Sequence, residues 1–212
     1  MELFTYWRSS TAYRVRIVLG LKNLSADLIP INLIKGEQRS PENLARNPLG
    51  AVPSLKTDEG MFIQSLAILE YLEETHPTPA LLPLKAADRA RVRALCQTVA
   101  CDMHPVNNLR LLKYLTTEMG LSEEKKMQWY RHWIAEGFKA LEAQLRQTAG
   151  RYCFGDTITL ADACLVPQVY NALRFDCPMA DYPTVMRIHT TLEKHPAFIA
   201  AHPDNQPDAI KA

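Results

Sequence analysis

Hydrophobic and polar residues in the first eighty positions alternate between the period of strands and the period of helices. The predicted elements, in chain order, are a strand at 2–6, a helix at 12–22, a strand at 27–33, a short helix at 41–46, a hairpin at 52–63 and a helix at 65–74. Gly60 lies in the hairpin turn, and the short helix has Ser40 as its cap and Pro41 in its first turn. The order βαβαββα predicts a mixed sheet, with a parallel part and a terminal antiparallel hairpin.

A proline-rich stretch at 76–83 ends this alternation and is interpreted as a linker, because its three prolines exclude a helix interior. Every periodic segment beyond it is helical. The predicted helices are 86–120, with Pro105 inside it, 122–148, 159–174 and 183–194. The buried stripe of the second of these is predicted to be Trp129, Trp133, Phe138, Leu141 and Leu145. The sequence therefore predicts an α/β domain at 1–82 and an all-helical domain at 83–212.

Charge is balanced along the chain. The 212 residues include 24 Lys and Arg against 23 Asp and Glu, which gives a net charge of +1. No long basic run or basic–aromatic stripe occurs, so a nucleic-acid partner is not expected. No apolar run approaches membrane-spanning length, and Glu2 and Arg8 interrupt any apolar leader, so neither a membrane partner nor secretion is expected.

The five cysteines form no CxxC pair and no zinc-binding pattern. An odd number of cysteines without a secretion signal is typical of reduced thiols, so a cytoplasmic location is expected. Cys101 and His104 are two potential ligands without a second pair, and no metal site is expected from them.

Ser9 and Ser10 lie where the first predicted helix begins. A helix N-terminus has free N–H groups and a partial positive charge, so it stabilises an anion, and a serine hydroxyl there can donate to the same anion. If the anion is a thiolate, the site lowers the pKa of the thiol. The alternative is a plain helix cap, because serine is a preferred N-cap residue.

Two further places combine a structural and a functional interpretation. A cis bond before Pro53 would expose the backbone of Val52 to a bound peptide, whereas a trans proline would belong to an ordinary loop. Gln64 and Ser65 precede a predicted helix, where Ser65 is either a plain N-cap or part of a carboxylate site. The capping box from Thr159 to Asp162, in contrast, is interpreted as purely structural.

The chain resembles the zeta class of cytosolic glutathione transferases over its whole length. The segments that carry the resemblance are Ser9-Ser10-x-x-Tyr13-Arg14-Val15-Arg16-Ile17, Val52-Pro53, Gln64 to Glu73, Gly155-Asp156, Leu160-Ala161-Asp162, Leu165 to Val169 and Gln206-Pro207-Asp208. The resemblance implies the glutathione-transferase fold: a thioredoxin-like α/β N-terminal domain, an all-α C-terminal domain, and glutathione as cofactor. One position departs from the class, which usually has cysteine where this chain has Thr11.

The resemblance also implies a glutathione site. Its implied members are Ser9, Ser10, Thr11, Gln38, Val52, Pro53, Gln64, Ser65, His104 and Asn108. Ser9 and Ser10 match the catalytic position, Val52 would pair with the cysteinyl backbone of glutathione, and Gln64 with Ser65 would hold the γ-glutamyl carboxylate. For His104, a partly exposed helix residue or a cap over the kink at Pro105 is an equal alternative.

Three arginines, Arg8, Arg110 and Arg174, are implied substrate contacts. An arginine on a helix is more often a solvated charge, but a guanidinium suits the carboxylates of a small dicarboxylate substrate. The implied function is glutathione-dependent cis–trans isomerisation of maleylacetoacetate to fumarylacetoacetate in tyrosine and phenylalanine catabolism. The alternatives are isomerisation of maleylpyruvate, general glutathione transfer or dehalogenation, and a non-enzymatic adaptor. By analogy with the class, a homodimer is expected.

Overall fold

The structure, a computed structural model, describes residues 1–210. The chain divides into two compact units, one of which contains Met1–Leu81 and the chain from Glu193 onward, while the other is Leu82–Leu192. In chain order the first unit contains β1 (Glu2–Thr5), α1 (Ser10–Leu21), β2 (Asp27–Pro30), a 3-10 helix (Glu37–Arg39), α2 (Pro41–Arg46), β3 (Ser54–Thr57), β4 (Gly60–Ile63) and α3 (Ser65–Thr75). The predicted order βαβαββα is confirmed.

The sheet of the first unit is mixed, with strand order β2-β1-β3-β4. β1 pairs with β2 in parallel and β3 with β4 in an antiparallel hairpin, as predicted, and β1 and β3 are also antiparallel. β2 is shorter than the predicted 27–33, because the side chain of Asn32 accepts hydrogen bonds from the main-chain N–H groups of Ile34 and Lys35 and turns the chain.

α1 is buried along most of its length, and it includes two buried arginines, Arg14 and Arg16. Lys22, just after α1, forms a buried ion pair with Glu73 of α3 at 2.7 Å. Lys22 also donates to the main-chain oxygens of His76 and Pro79, and Glu73 accepts from the N–H of Leu81. The predicted linker is therefore held against the first unit by a paired charge.

The second unit is helical. Its elements are α4 (Ala86–Gln97), a π-helix (Thr98–Met103), a 3-10 helix (Pro105–Asn107), α5 (Leu109–Thr117), α6 (Glu123–Thr148), α7 (Leu160–Arg174) and α8 (Pro183–Leu192). The prediction of one helix over 86–120 is wrong, because the chain breaks at Pro105, which has no N–H to donate. Asn108 then caps a new helix by accepting from the N–H of Arg110 at 3.1 Å.

The first two members of the buried stripe of α6 each lie one position later than predicted. Tyr130 and Ile134 are buried, whereas Trp129 and Trp133 are only partly buried. The indole N–H of Trp129 donates to the main-chain oxygen of Val106, which accounts for its position at the edge of the stripe.

The chain from Glu193 onward differs from the sequence-based division, which placed all of 83–212 in the helical domain. α9 (Pro196–Ala201) packs against α1, close enough that a Cβ on Gly20 would lie 3.1 Å from the Cβ of Ala197. The guanidinium of Arg16 donates to the main-chain oxygen of Ala201. A 3-10 helix at Pro203–Asn205 follows.

Within residues 1–210, no helix combines the length and the apolar character that crossing a membrane requires. The same residues contain no group of three or more His, Cys, Asp or Glu side chains placed to hold a metal ion.

Candidate glutathione site

Ser9 is the N-cap of α1, so the capping role that the sequence allowed is real. Its Oγ accepts a hydrogen bond from the main-chain N–H of Ala12 at 3.2 Å, and its own N–H donates to the oxygen of Tyr6. Ser10 is the buried first residue of the helix. The first turn contains no acidic side chain, so α1 has no carboxylate of its own there to balance the partial positive charge.

A short chain of hydroxyl groups links Ser9 to the loop before β3. The Oγ of Ser9 lies 2.9 Å from Oγ1 of Thr11, and Oγ1 of Thr11 donates to the main-chain oxygen of Val52 at 2.9 Å. The Val52 carbonyl has no hydrogen, so the only hydroxyl hydrogen of Thr11 is used there. The hydrogen between Ser9 and Thr11 is therefore that of Ser9, which donates to Thr11.

The Val52–Pro53 peptide bond is cis, as the functional interpretation of this dipeptide requires. Both residues are buried, and the carbonyl of Val52 already accepts from Thr11. Val52 is therefore not the exposed residue that was expected, and one of the two lone pairs of its carbonyl is used inside the protein. The preceding loop is held by Asn47, whose side chain donates to the oxygen of Ala51.

α3 begins at Ser65, as predicted, but its N-cap lies one residue earlier than the predicted one. Ser65 is its first residue, so the interpretation of Ser65 as N-cap is wrong; Gln64 occupies the N-cap position, with a positive φ of 70° and no side-chain capping bond. The Ser65 hydroxyl is thus not used to cap the helix, and it accepts from Nη1 of Arg14 at 3.1 Å. The first turn of α3 also contains no acidic side chain.

Gln38 belongs to the 3-10 helix at Glu37–Arg39. Its main-chain oxygen accepts from the side chain of Asn43, while its side-chain Oε1 is buried without a hydrogen-bond partner among the described residues. A buried acceptor without a partner is costly, and a ligand donor would relieve that cost.

The turn that leads to Ser9 is held by Arg16 and Asp208, neither of which was predicted as a site residue. Arg16 donates to the main-chain oxygens of Tyr6 and Trp7. The N–H of Trp7 donates to the carboxylate of Asp208 at 3.0 Å, across 201 positions of the sequence. Arg8, an implied substrate contact, is exposed, and its guanidinium lies 4.1 Å from the centre of the Trp7 ring.

His104 and Asn108 are neighbours in the helical unit, with Nε2 of His104 3.0 Å from Nδ2 of Asn108. The Asn108 oxygen accepts from the N–H of Arg110, so its Nδ2 is the amide nitrogen and can only donate. Nε2 of His104 is therefore an acceptor, which fixes the tautomer of a neutral imidazole. The π-helix that ends at Met103 sets the position of His104 directly after it.

Arg110 lies in the first turn of α5 and Arg174 in the last turn of α7, and both are exposed. The guanidinium of Arg174 lies 4.6 Å from the centre of the Phe175 ring. In the first unit, contacts join Ser9, Thr11 and Val52, and separately Arg14 and Ser65; in the helical unit they join His104, Asn108 and Arg110.

The supporting roles of Arg14, Arg16 and Asp208 were not predicted from the sequence. Two arginines within an apolar helical run were a usable signal, because a buried guanidinium requires partners. Asp208 gave no such signal, since its partner lies at the other end of the chain.

Comparison with known proteins decides the family. Residues 3–80 match the family model for the glutathione S-transferase N-terminal domain, and residues 107–202 match that for the C-terminal domain. The chain belongs to the glutathione S-transferase family. Among its relatives, a probable maleylacetoacetate isomerase from Vibrio cholerae serotype O1 is 51% identical over 209 residues, covering 98% of this chain and 97% of the relative.

Solved structures of other glutathione transferases narrow the class. The holo structure of a maleyl pyruvate isomerase, a bacterial zeta-class glutathione transferase, superposes with a TM-score of 0.96 at 45% identity and covers 99% of this chain and 100% of its own. A maleylacetoacetate isomerase from Methylobacterium extorquens AM1, with bound malonate and glutathione, has a TM-score of 0.96 at 41% identity, with both chains covered completely. The predicted zeta-class fold, with its thioredoxin-like and helical parts, is confirmed.

Proposed function

We propose that this glutathione transferase is a glutathione-dependent cis–trans isomerase whose substrate is maleylacetoacetate. The observation that carries the proposal is the start of α1, where a serine hydroxyl coincides with a first helical turn that contains no acidic side chain. The relatives named maleylacetoacetate isomerase, and the related structure that holds both glutathione and the dicarboxylate malonate, support the choice of cofactor and substrate class.

The donors and acceptors of the first unit fit glutathione. Ser65 at the acid-free start of α3 suits the γ-glutamyl carboxylate, together with Gln64. Val52 beside the cis Pro53 suits the cysteinyl backbone, and the buried acceptor of Gln38 suits a ligand N–H. In the helical unit, we assign His104 and Asn108 as the remaining contacts of the cofactor.

When bound, glutathione would supply a thiolate for reversible addition to the cis double bond of the substrate. The conjugated carbonyl oxygen would hold the electron pair of that bond, so that the remaining single bond could rotate before the pair returns and the thiolate leaves. The Ser9 hydroxyl would donate its hydrogen to the sulfur, and Ser10 and Thr11 follow Ser9 in the first turn of α1. A free thiol has a pKa near 8.5, and lowering this by about 2 units requires about 2.7 kcal/mol. One charge-assisted hydrogen bond together with the helix terminus has this size.

The substrate is a dicarboxylate, so it requires fixed cations. Arg8, Arg110 and Arg174 are the three arginines that we assign to it, since a guanidinium can bind a carboxylate through two parallel hydrogen bonds. No cysteine of the chain is needed as nucleophile. Burial raises the pKa of the Cys153 thiol and that of the Cys177 thiol, which makes both poor nucleophiles.

The test is the loss of ultraviolet absorbance of maleylacetoacetate, with and without glutathione, by the wild type and by Ser9→Ala. We expect turnover only with glutathione and a loss of about 100-fold in the variant. Ser122→Ala is the matched control, because Ser122 is also a serine N-cap, accepting from Lys125, but lies at the start of α6. Turnover without glutathione, or equal losses in both variants, would contradict the proposal.

The same assay separates the alternatives. Turnover of maleylpyruvate but not of maleylacetoacetate would favour the maleyl pyruvate isomerase activity named for one related structure. Binding to immobilised glutathione with turnover of neither substrate would favour general transfer to small electrophiles, and absence of binding would favour an adaptor. We further propose a cytoplasmic homodimer, which sedimentation and fractionation of the native source would check.

A further inference from the structure

A buried arginine lies directly behind the proposed carboxylate site. Arg14, on α1, is among the largest fully buried side chains of the chain, with 1% of its surface exposed. Its Nη1 donates to the Oγ of Ser65, the first residue of α3, at 3.1 Å. The two residues are 51 positions apart, so this bond links α1 and α3 inside the first unit.

The donor inventory of the two side chains sets the direction of the Ser65 hydroxyl. A guanidinium has five N–H donors and no acceptor, so Ser65 cannot donate its hydroxyl hydrogen to Arg14. The Ser65 oxygen accepts on its inner side, and its hydrogen must point to another acceptor. A hydroxyl oriented in this way is a donor to an anion.

We propose that Arg14 is a positioning residue that turns the Ser65 hydroxyl toward the α-carboxylate of the γ-glutamyl group and so makes the site selective for thiols that carry this carboxylate. The inference rests on the proposed function, since it concerns how that site recognises glutathione. Arg14 acts on the carboxylate through Ser65, to which it donates.

The surroundings of Ser65 support an acceptor that comes from outside the chain. The first turn of α3 contains no acidic side chain, and both Gln64 and Ala67 are exposed. Ser9 caps the same helix that carries Arg14. One rigid element therefore supports both the proposed thiol end and the proposed carboxylate end of glutathione, which fixes their spacing.

Two ligands test the inference: glutathione, and 4-aminobutyryl-cysteinylglycine, which has hydrogen in place of the α-carboxylate. Titration calorimetry gives the dissociation constants for the wild type, Arg14→Met, Arg14→Lys and Ser65→Ala. We expect Arg14→Met to raise the dissociation constant for glutathione by about tenfold, which is the size of one hydrogen bond to a charged group. The dissociation constant for the analogue should rise by less than about twofold. In the Ser65→Ala background, Arg14→Met should cause no further loss.

Arg16→Lys is the matched control, because Arg16 is the second buried arginine of α1 and donates to the main-chain oxygens of Tyr6, Trp7 and Ala201. It should change the affinity for both ligands alike. If Arg14→Met does not fold, Arg14→Lys carries the test, since an ammonium also donates without accepting and should retain part of the selectivity.

Equal weakening of both ligands by the Arg14 variants would overturn the inference and leave Arg14 a purely structural residue. Unchanged affinity for glutathione in a folded Arg14→Met variant would overturn it as well. A wild type that binds neither ligand would instead overturn the proposed function, and the inference with it.

Discussion

Two helix starts of the helical unit, those of α7 and α8, differ from two helix starts of the first unit, those of α1 and α3, in where the negative charge comes from. At α7 and α8 the chain supplies its own carboxylates. At α7, Asp162 accepts from the N–H of Thr159 at 2.7 Å and from the N–H of Cys153 at 2.9 Å. At α8, Glu142 from α6 accepts from the N–H groups of Thr184 and Val185.

In the first unit, α1 and α3 have no acidic residue in their first turns. Each has a serine there: Ser9 caps α1, and Ser65 is the first residue of α3. A helix start is an anion site wherever it occurs. We call a helix start open when no carboxylate of the chain binds its N–H groups, and closed when one does. An open helix start is available for the anion of a ligand. The start of α7 is closed by Asp162, and its cap is therefore structural.

The largest effect on stability is expected from removing the carboxylate that closes the start of α7. Asp162→Ala removes the acceptor of two main-chain N–H groups and of the Thr159 hydroxyl, and the residue is fully buried. We expect a loss of about 3 kcal/mol in the free energy of unfolding, measured with urea, because buried donors are left without partners.

The comparison for this loss is Ser122→Ala, which removes a single capping bond at an exposed helix start and should cost about 1 kcal/mol. The pKa of glutathione bound to folded Asp162→Ala should remain that of the wild type. A changed thiol pKa would show that the start of α7 also serves the chemistry.

The next largest effect, on the binding of glutathione, is expected from placing a carboxylate at the open start of α3. Ala67 is exposed in the first turn of α3, so Ala67→Glu places a carboxylate where we propose that glutathione binds its own. We expect the KM for glutathione to rise about tenfold with no loss of thermal stability, since an acid at this position suits the helix dipole. Ala67→Gln has the same shape without the charge and should leave the KM within about twofold. A similar KM for both variants would count against an anion site at α3.

A smaller, pH-dependent effect is expected at the start of α8. Burial alone would raise the pKa of Glu142, but the hydrogen bonds from Thr184, Val185 and Arg146 outweigh it and hold the pKa below the ordinary 4.5. The carboxylate therefore stabilises the fold above pH 4.5, and this contribution is lost as the pH falls through the lower pKa of the folded state. Glu142→Gln should cost about 1 kcal/mol near pH 7 and progressively less in acid.

Urea titrations of Glu142→Gln and of the wild type from neutral to acid pH would measure this difference. Glu136 is exposed on the same helix, so Glu136→Gln should leave the free energy of unfolding unchanged over the same pH range. If the difference in the free energy of unfolding between Glu142→Gln and the wild type stayed constant down to pH 3, the charge of Glu142 would not be what stabilises the start of α8.

The sequence predicted these helix starts where the capping chemistry is local. Ser40 is a cap and the box from Thr159 to Asp162 is a capping box, as expected, since a capping bond needs only the next three residues. The predicted cap of α3 was wrong by one position: Gln64, and not Ser65, is the N-cap, and its positive φ cannot be inferred from residue type. The bond from Arg14 to Ser65 and the one from Thr11 to Val52 join residues more than forty positions apart, and only the folded chain brings them together.

The smallest effect sharpens the account of α1 itself. In the structure the hydroxyl hydrogen of Ser9 points to Thr11, whose own hydrogen is used by the Val52 oxygen. To reach the sulfur, the Ser9 hydrogen must leave Thr11, and that exchange costs part of the gain from the new bond. Thr11→Val has nearly the same shape and no hydroxyl, so the cost disappears, and we expect the pKa of the bound thiol to fall by about half a unit. Thiolate absorbance of the glutathione complex against pH measures it, with Thr11→Ser as the variant that keeps the hydroxyl and the wild-type pKa. A rise of the thiol pKa in Thr11→Val would mean that Thr11 supports the thiolate directly and does not compete with it for the hydrogen of Ser9.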